Sequence, residues 1–263
     1  MELNIEEKVF MVAASSKGLG FGIARELALN GATVCIASRT KDEVESAAEN
    51  LRKETGATVL ASVFDASDPE SITKWVEETA NAFERIDGLV VNAGGPPPGN
   101  FDDFSDAAWQ SAFELTLMSA VRLIRGVLPH MRSGGGGSIV AITSLSVKEP
   151  ITSLLLSNVF RSGVASLVKS LANQLAAENI RVNNLIPGRI DTDRVKALDR
   201  NLAEKHGVPS EKVKQQHESA IPLRRYGTIE EFGKAGAFLL SDAASYITGA
   251  SLTVDGGMLK GMQ

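Results

Sequence analysis

The chain has 263 residues, 43% of them hydrophobic and 22% charged, with a formal net charge of −5. That composition suits a globular protein with a sizeable core and excludes an intrinsically disordered chain. An acidic balance with no Lys/Arg-rich run argues against nucleic acid as a partner. The segment Met1 to Lys8 is short and acidic, with no apolar stretch behind it long enough for a signal or anchor, so a cytoplasmic protein without membrane association is expected. Cys35 is the lone cysteine; it lies in an apolar run, reads as a small buried thiol and can form no disulfide within the chain.

From Val9 onward, apolar runs of strand length alternate with segments of helical period, the pattern of a parallel sheet with crossover helices. Strands are expected at Val9 to Ala14, Thr33 to Ala37, Thr58 to Val63, Gly88 to Asn92, Ser138 to Thr143, Arg181 to Ile186 and Leu252 to Val254. They predict an α/β fold in a single domain over residues 1–263, a doubly wound seven-stranded parallel sheet with helices on both faces. A helix over Leu19 to Asn30 stops at Gly31 and the next, Lys41 to Thr55, stops at Gly56, because glycine most readily takes the left-handed conformation past a helix end. Asp68 caps a helix that opens with Pro69 and runs to Phe83. Two segments break the rhythm. Gly134 to Gly137 reads as a flexible turn, and Pro187 to Pro222 as a long connection of the kind that carries function or moves.

The first strand runs into Ala13-Ala14-Ser15-Ser16-Lys17-Gly18-Leu19-Gly20-Phe21-Gly22 and then a helix. A glycine-rich turn at that junction lets backbone N–H groups approach a diphosphate at the positive end of a helix dipole; taken alone, it could equally be a tight turn and nothing more. Further along come Asp65 after strand three, Asn92-Ala93-Gly94 after strand four, Pro187-Gly188 with Thr192 after strand six, and Gly249 with Asp255-Gly256-Gly257. With these motifs in this order the chain resembles the short-chain dehydrogenase/reductases over nearly its whole length, and is similar in pattern to the 3-oxoacyl-acyl-carrier-protein reductases. The resemblance implies a Rossmann-type fold holding a nicotinamide dinucleotide. The family's Thr-Gly-x-x-x-Gly-x-Gly falls on Ala13, Ala14, Gly18 and Gly20, and Ala14 is accordingly expected in a conformation open to residues with a Cβ. Val91 replaces the first residue of Asn-Asn-Ala-Gly.

The charge at the end of strand two selects the dinucleotide. An NAD enzyme usually offers a carboxylate there, an NADP enzyme a cation for the 2′-phosphate. This chain has Ser38-Arg39-Thr40, with Lys17 inside the glycine-rich turn; unless these are two solvated surface cations, they suit NADP(H). The cofactor contacts implied are Ser15, Ser16, Lys17, Gly18, Leu19 and Gly20 in the turn, Ser38 and Arg39, Asp65 and Ala66, Asn92, Ala93 and Gly94, Arg161, and Pro187, Gly188 and Thr192.

The family's chemistry uses a tyrosine as proton donor or acceptor, a lysine that lowers its pKa and holds the nicotinamide ribose, a serine that polarises the carbonyl and an asparagine that supports a proton relay. By the resemblance, Ser144 falls on the serine, Ser157 on the tyrosine, Arg161 on the lysine and Thr116 on the asparagine. No shift of alignment restores the tyrosine, since the chain has two, Tyr226 and Tyr246, both beyond strand six and suited to core or interface roles. A serine hydroxyl without a base is a poor acid, and a guanidinium does not readily release a proton. Ser157 and Arg161 stand one turn apart on one helix face.

The connection after strand six resembles the family's substrate lid, about 187–222. It carries Arg189, Arg194, Lys196 and Arg200 interleaved with Asp191, Asp193 and Asp199, which reads as a solvated helix face with i,i+4 pairs or as an anion site for a carboxylate, phosphate or acyl-carrier substrate. His130 and His217 give no metal spacing, and no metal is expected. Two functions compete: an NADP(H)-dependent reductase of a small-molecule or acyl-thioester carbonyl, with Ser144 as electrophile and solvent as proton source, or an NADP(H)-binding sensor or structural module without turnover. Either is expected as a homodimer or homotetramer.

Overall fold

The structure, a computed structural model, describes residues 1–261. Its strands β1 (Val9–Val12), β2 (Thr33–Ser38), β3 (Val59–Val63), β4 (Gly88–Val91), β5 (Gly137–Ile142), β6 (Ile180–Pro187) and β7 (Ser251–Val254) form one sheet in the order β3-β2-β1-β4-β5-β6-β7. Every pair is parallel. The helices are α1 (Gly18–Leu29), α2 (Lys41–Thr55), α3 (Pro69–Phe83), α4 (Asp106–Phe113), α5 (Ser119–Ser133), α6 (Leu155–Leu175), α7 (Asp193–His206), α8 (Ser210–Ala220) and α9 (Ile229–Leu240).

Successive strand residues point to opposite faces, and both faces are covered, so the central strands β1 and β4 are apolar throughout. Met11, Cys35 and Leu89 face α3, α5 and α6, where they pack with Trp75, Leu123 and Val164. Phe10, Val12 and Ile36 face α1, α2 and α9, among Ile23, Val44 and Phe232. Cys35 is fully buried, as expected, and burial pushes its thiol up to about 12. The pair α1 and α9 meets backbone to backbone: a Cβ on Gly233 would lie 2.3 Å from the Gly22 carbonyl oxygen.

α2 has the bounds expected and ends at Gly56, φ +70°. Asp68 caps α3 by accepting from the Glu70 N–H at 3.0 Å. β1 and β4 stop earlier than expected, at Val12 and Val91, because Ala13-Ala14 and Asn92 already belong to the turns at the carboxyl edge. The larger correction is 187–222. The long connection carries two helices, α7 and α8, whose bounds are not legible in the sequence because their few apolar positions give too narrow a stripe to show as helical period.

Chain order reverses between β1 and β4, which are neighbours in the sheet. In open parallel sheets that reversal opens a crevice at the carboxyl ends of the two strands, the place where ligands bind. Among the described residues no helix is long and apolar enough to cross a membrane.

Candidate active site

At the crevice, the turn between β1 and α1 is held from both sides. The Asn92 side-chain amide donates to the carbonyls of Ala13 (3.2 Å) and Ala14 (3.1 Å). Ser15 is fully buried, donates its hydroxyl to Val12 O at 2.6 Å and accepts from the Ala37 N–H. Its side chain therefore supports the turn from below and does not line the crevice. Ala14 sits at φ +47°, which corrects the expectation of an ordinary conformation: the turn keeps the left-handed shape glycine would take, at a cost of about 1–2 kcal/mol for a residue with a Cβ. Gly18 is left-handed too, φ +65°. A Cβ on Gly20 would meet the Ala14 carbonyl at 2.8 Å, so side-chain bulk is excluded where α1 begins.

The residues present fit a dinucleotide. α1 starts without a side-chain cap and without an acid in its first turn, so its leading N–H groups and dipole are left for an anion. Beyond them Gly94 faces open space where a side chain would otherwise stand. Thr192 caps α7 and turns its methyl toward Gly18, 3.8 Å from where a Cβ would be. Leu19 and Ala93 are half-buried beside these glycines, and Ala66 is buried behind Asp65. Gly188 packs on the chain after β7, where a Cβ would come within 2.4 Å of Asp255 Cα; with Pro187 it shapes the edge of the crevice.

Around the end of β2, Ser38 is buried while Arg39 is exposed and forms no ion pair among the described residues. The Asp65 carboxylate accepts from the Ser67 hydroxyl (2.7 Å) and N–H (2.8 Å), which hold its pKa below the usual value, with a smaller contribution from the Arg39 charge. Sequence reasoning missed Glu43, whose carboxylate pairs with Lys17 at 3.1 Å and accepts from the Ser16 hydroxyl at 3.4 Å. An acid in the first turn of a helix is ordinary, and nothing in the sequence marks this one as reaching back to the turn.

At the other end of the crevice α6 packs against the turn after β5 and the α4–α5 junction, which brings the four family positions together. The Ser144 hydroxyl oxygen accepts from the Ser146 N–H at 3.1 Å, leaving its own proton free to be donated. Thr116 lies in a π-helical turn, Glu114–Met118, and its buried hydroxyl has no partner; such turns recur at functional sites. Ser157 is buried, and its hydroxyl bonds to no described residue. Arg161 donates through Nη1 to the carbonyls of Ile142 (3.0 Å) and Thr143 (3.2 Å). Burial, then the charge of Arg194, lowers its pKa to about 10, so it stays charged at neutral pH.

The cations of residues 187–222 are not one face. Arg189 turns inward to Asp199 (2.8 Å), and Asp199 also accepts from Tyr226 (2.8 Å) and meets His217 at 3.1 Å. Lys196 pairs with Asp191 at 3.2 Å, and no i,i+4 pair forms within α7 among the described residues. Tyr226 is in the core, as expected, and Tyr246 is fully exposed. No group of residues able to hold a metal occurs among the described residues.

The family profile described as "Enoyl-(Acyl carrier protein) reductase" matches residues 13–259. The chain belongs to the short-chain dehydrogenase/reductase family. It is 35% identical over 254 residues to dehydrogenase/reductase SDR family member 4 of Oryctolagus cuniculus, covering 96% of this chain and 94% of that one. It is 33% identical over 251 residues to a 3-oxoacyl-[acyl-carrier-protein] reductase of Chlamydia muridarum, covering 95% and 97%. Among solved structures, L-sorbose reductase from Gluconobacter frateurii complexed with NADPH and L-sorbose superposes with a TM-score of 0.95 at 33% identity over 100% of both chains.

Proposed function

We propose that this chain is an NADP(H)-dependent oxidoreductase that reduces the carbonyl of a small molecule or acyl thioester, without a phenol as its acid. The observation that carries the reading is the uncapped N-terminus of α1 behind a bulk-free turn, with Lys17 and Arg39 standing at the rim. Similarity to an NADPH-bound sugar reductase and to an oxoacyl reductase supports it. The leading N–H groups of α1 with Gly18, Leu19 and Gly20 would hold the diphosphate, Arg39 and Lys17 the 2′-phosphate, Asp65 and Ala66 the adenine side, and Asn92, Ala93, Gly94, Gly188 and Thr192 the walls. Bound there, NADPH supplies the hydride. Ser144 donates a hydrogen bond from its free hydroxyl to the substrate carbonyl oxygen and polarises it. Ser157 supplies a second hydroxyl, and Arg161 anchors without exchanging a proton. No group of this set titrates near neutrality, so the proton reaches the product oxygen from solvent.

The segment 187–222, as α7 and α8, acts as the lid over the substrate. The assembly is a homodimer or homotetramer through the faces of α4, α5 and α6, where Val159 stands 46% exposed; light scattering at micromolar concentration should give more than one subunit. The activity test is a screen of ketones, 3-oxoacyl thioesters and oxo acids that follows NADPH consumption beside a direct titration of NADPH. Carbonyl-dependent, saturable consumption is expected at a low rate. Tight binding with no consumption across the panel would overturn the reductase reading in favour of a binding module.

A further inference from the structure

Two guanidiniums in the crevice have no carboxylate partner. Arg161 is fixed on the Ile142 and Thr143 carbonyls, one residue from Ser144. Arg194, exposed at the start of α7, reaches across to donate through Nη2 to Pro96 O at 3.0 Å. It lies over Gly95, where a Cβ would come within 2.9 Å of the same nitrogen, so the missing side chain makes its room. Ile142 ends β5 and Thr143 follows it, while Pro96 lies in the loop that leaves β4, and the two strands are neighbours with Val91 opposite Ala141. Neither arginine forms an ion pair among the described residues, whereas Arg189 and Lys196, from the same stretch of chain, both do. The pKa of Arg161 is lowered first by burial, and the Arg194 charge lowers it further. Two like charges set together without an acid repel, and an anion between them relieves both.

We propose that Arg161 and Arg194 clamp a carboxylate of the substrate, so that the carbonyl met by Ser144 belongs to an oxo acid. This rests on the reductase reading and narrows its substrate class. A planar guanidinium grips a carboxylate through two parallel hydrogen bonds, and Nη1 of Arg161 and Nη2 of Arg194 are already oriented by their backbone acceptors. A dinucleotide's diphosphate has its own partner in the uncapped start of α1 after β1, whereas Arg161 is held on the last residues of the β5 segment. That leaves the anion beside Ser144 to the substrate.

The test is calorimetric binding to the NADP⁺-loaded protein, in which reduction cannot proceed, using acetoacetate and levulinate each beside its methyl ester. At least one acid should bind at least about tenfold more tightly than its ester, the effect of one charge-assisted contact. Arg194→Gln should reduce that preference to less than about twofold while leaving NADPH affinity within about twofold, and Arg194→Lys should restore part of it. Equal binding of acid and ester, or no binding of any of the four, overturns the clamp. So does an Arg194→Gln variant that keeps the acid preference and loses NADPH affinity about tenfold, since the guanidinium would then serve the cofactor. An acid preference in a protein that never oxidises NADPH would leave the clamp standing and remove the reductase reading alone.

Discussion

The two ends of the crevice have fared differently under substitution. At the dinucleotide end the backbone does the work: α1 offers N–H groups, glycines keep the approach clear, and Asn92 pins the turn. Alanine at positions 13 and 14 leaves that arrangement in place, because Ala14 accepts φ +47°. At the substrate end the family's chemistry belongs to particular side chains with particular acidities, and serine, arginine and threonine stand where tyrosine, lysine and asparagine are implied. Function carried by backbone geometry tolerates replacement wherever the new residue can reach the same φ. Function carried by a pKa does not.

Stability should show the same asymmetry. Gly233→Val puts atoms into the Gly22 carbonyl, a backbone group that cannot step aside, and should cost about 3 kcal/mol in urea unfolding. Ser157→Ala, at a hydroxyl with no described partner, should change stability by no more than about 0.5 kcal/mol. Comparable losses at the two sites would remove the contrast. A smaller effect is expected in cofactor choice. NADPH should bind at least about tenfold more tightly than NADH, about 1.4 kcal/mol, and Arg39→Asp should abolish or invert that preference; equal affinities in the parent protein would contradict the assignment of Arg39 and Lys17.

Much of the fold was legible because apolar strands, the Gly56 stop and the Asp68-Pro69 start are local signals, and the sequence positions of the sheet match the structure to within a few residues. What was not legible depended on long-range pairing. Asp199 looked like one of several solvated acids, yet it is 5% exposed and joins Arg189, Tyr226 and His217, partners spread over three other segments. The charged stretch after β6 showed a helix face but hid the bounds of its two helices for the same reason: tertiary contacts, not a broad apolar stripe, hold them. At the site, the family positions could be counted from motif spacing, but what Arg161 touches could not. Its engagement with β5 carbonyls, the π turn at Thr116 and the reach of Arg194 to Pro96 are consequences of packing.

Two finer predictions sharpen the comparison. Ala14→Gly relieves the left-handed alanine, about 1–2 kcal/mol, against an unfolded-state entropy cost of about 0.4–1 kcal/mol. A net gain of about 0.5–1 kcal/mol in thermal or urea unfolding is expected; destabilisation would show that the turn prefers alanine. In the Asp199 cluster, burial and then Arg189 lower the His217 pKa below its ordinary 6.5, against the opposing pull of Asp199. The unfolded chain therefore takes up this proton first as pH falls below 6.5, stability drops through that window, and the loss ends once the folded form is protonated too. His217→Gln should flatten the acid limb of urea midpoint against pH. Unchanged slopes would mean that His217 does not contribute to the acid limb.

The measurement that bears most directly on the division between the two ends is NADPH oxidation with a 3-oxoacyl thioester, at matched cofactor saturation, for the parent protein, Ser157→Tyr, Arg161→Lys and the double variant. Restoring a positioned acid and the ammonium that tunes it should raise the rate of the double variant by about 10²-fold to 10⁴-fold, with much smaller gains in either single variant because the pair acts as a unit, and with NADPH affinity changed by no more than a few-fold. A parent protein as fast as the double variant would contradict the account, since another group would then be supplying the proton at full effect.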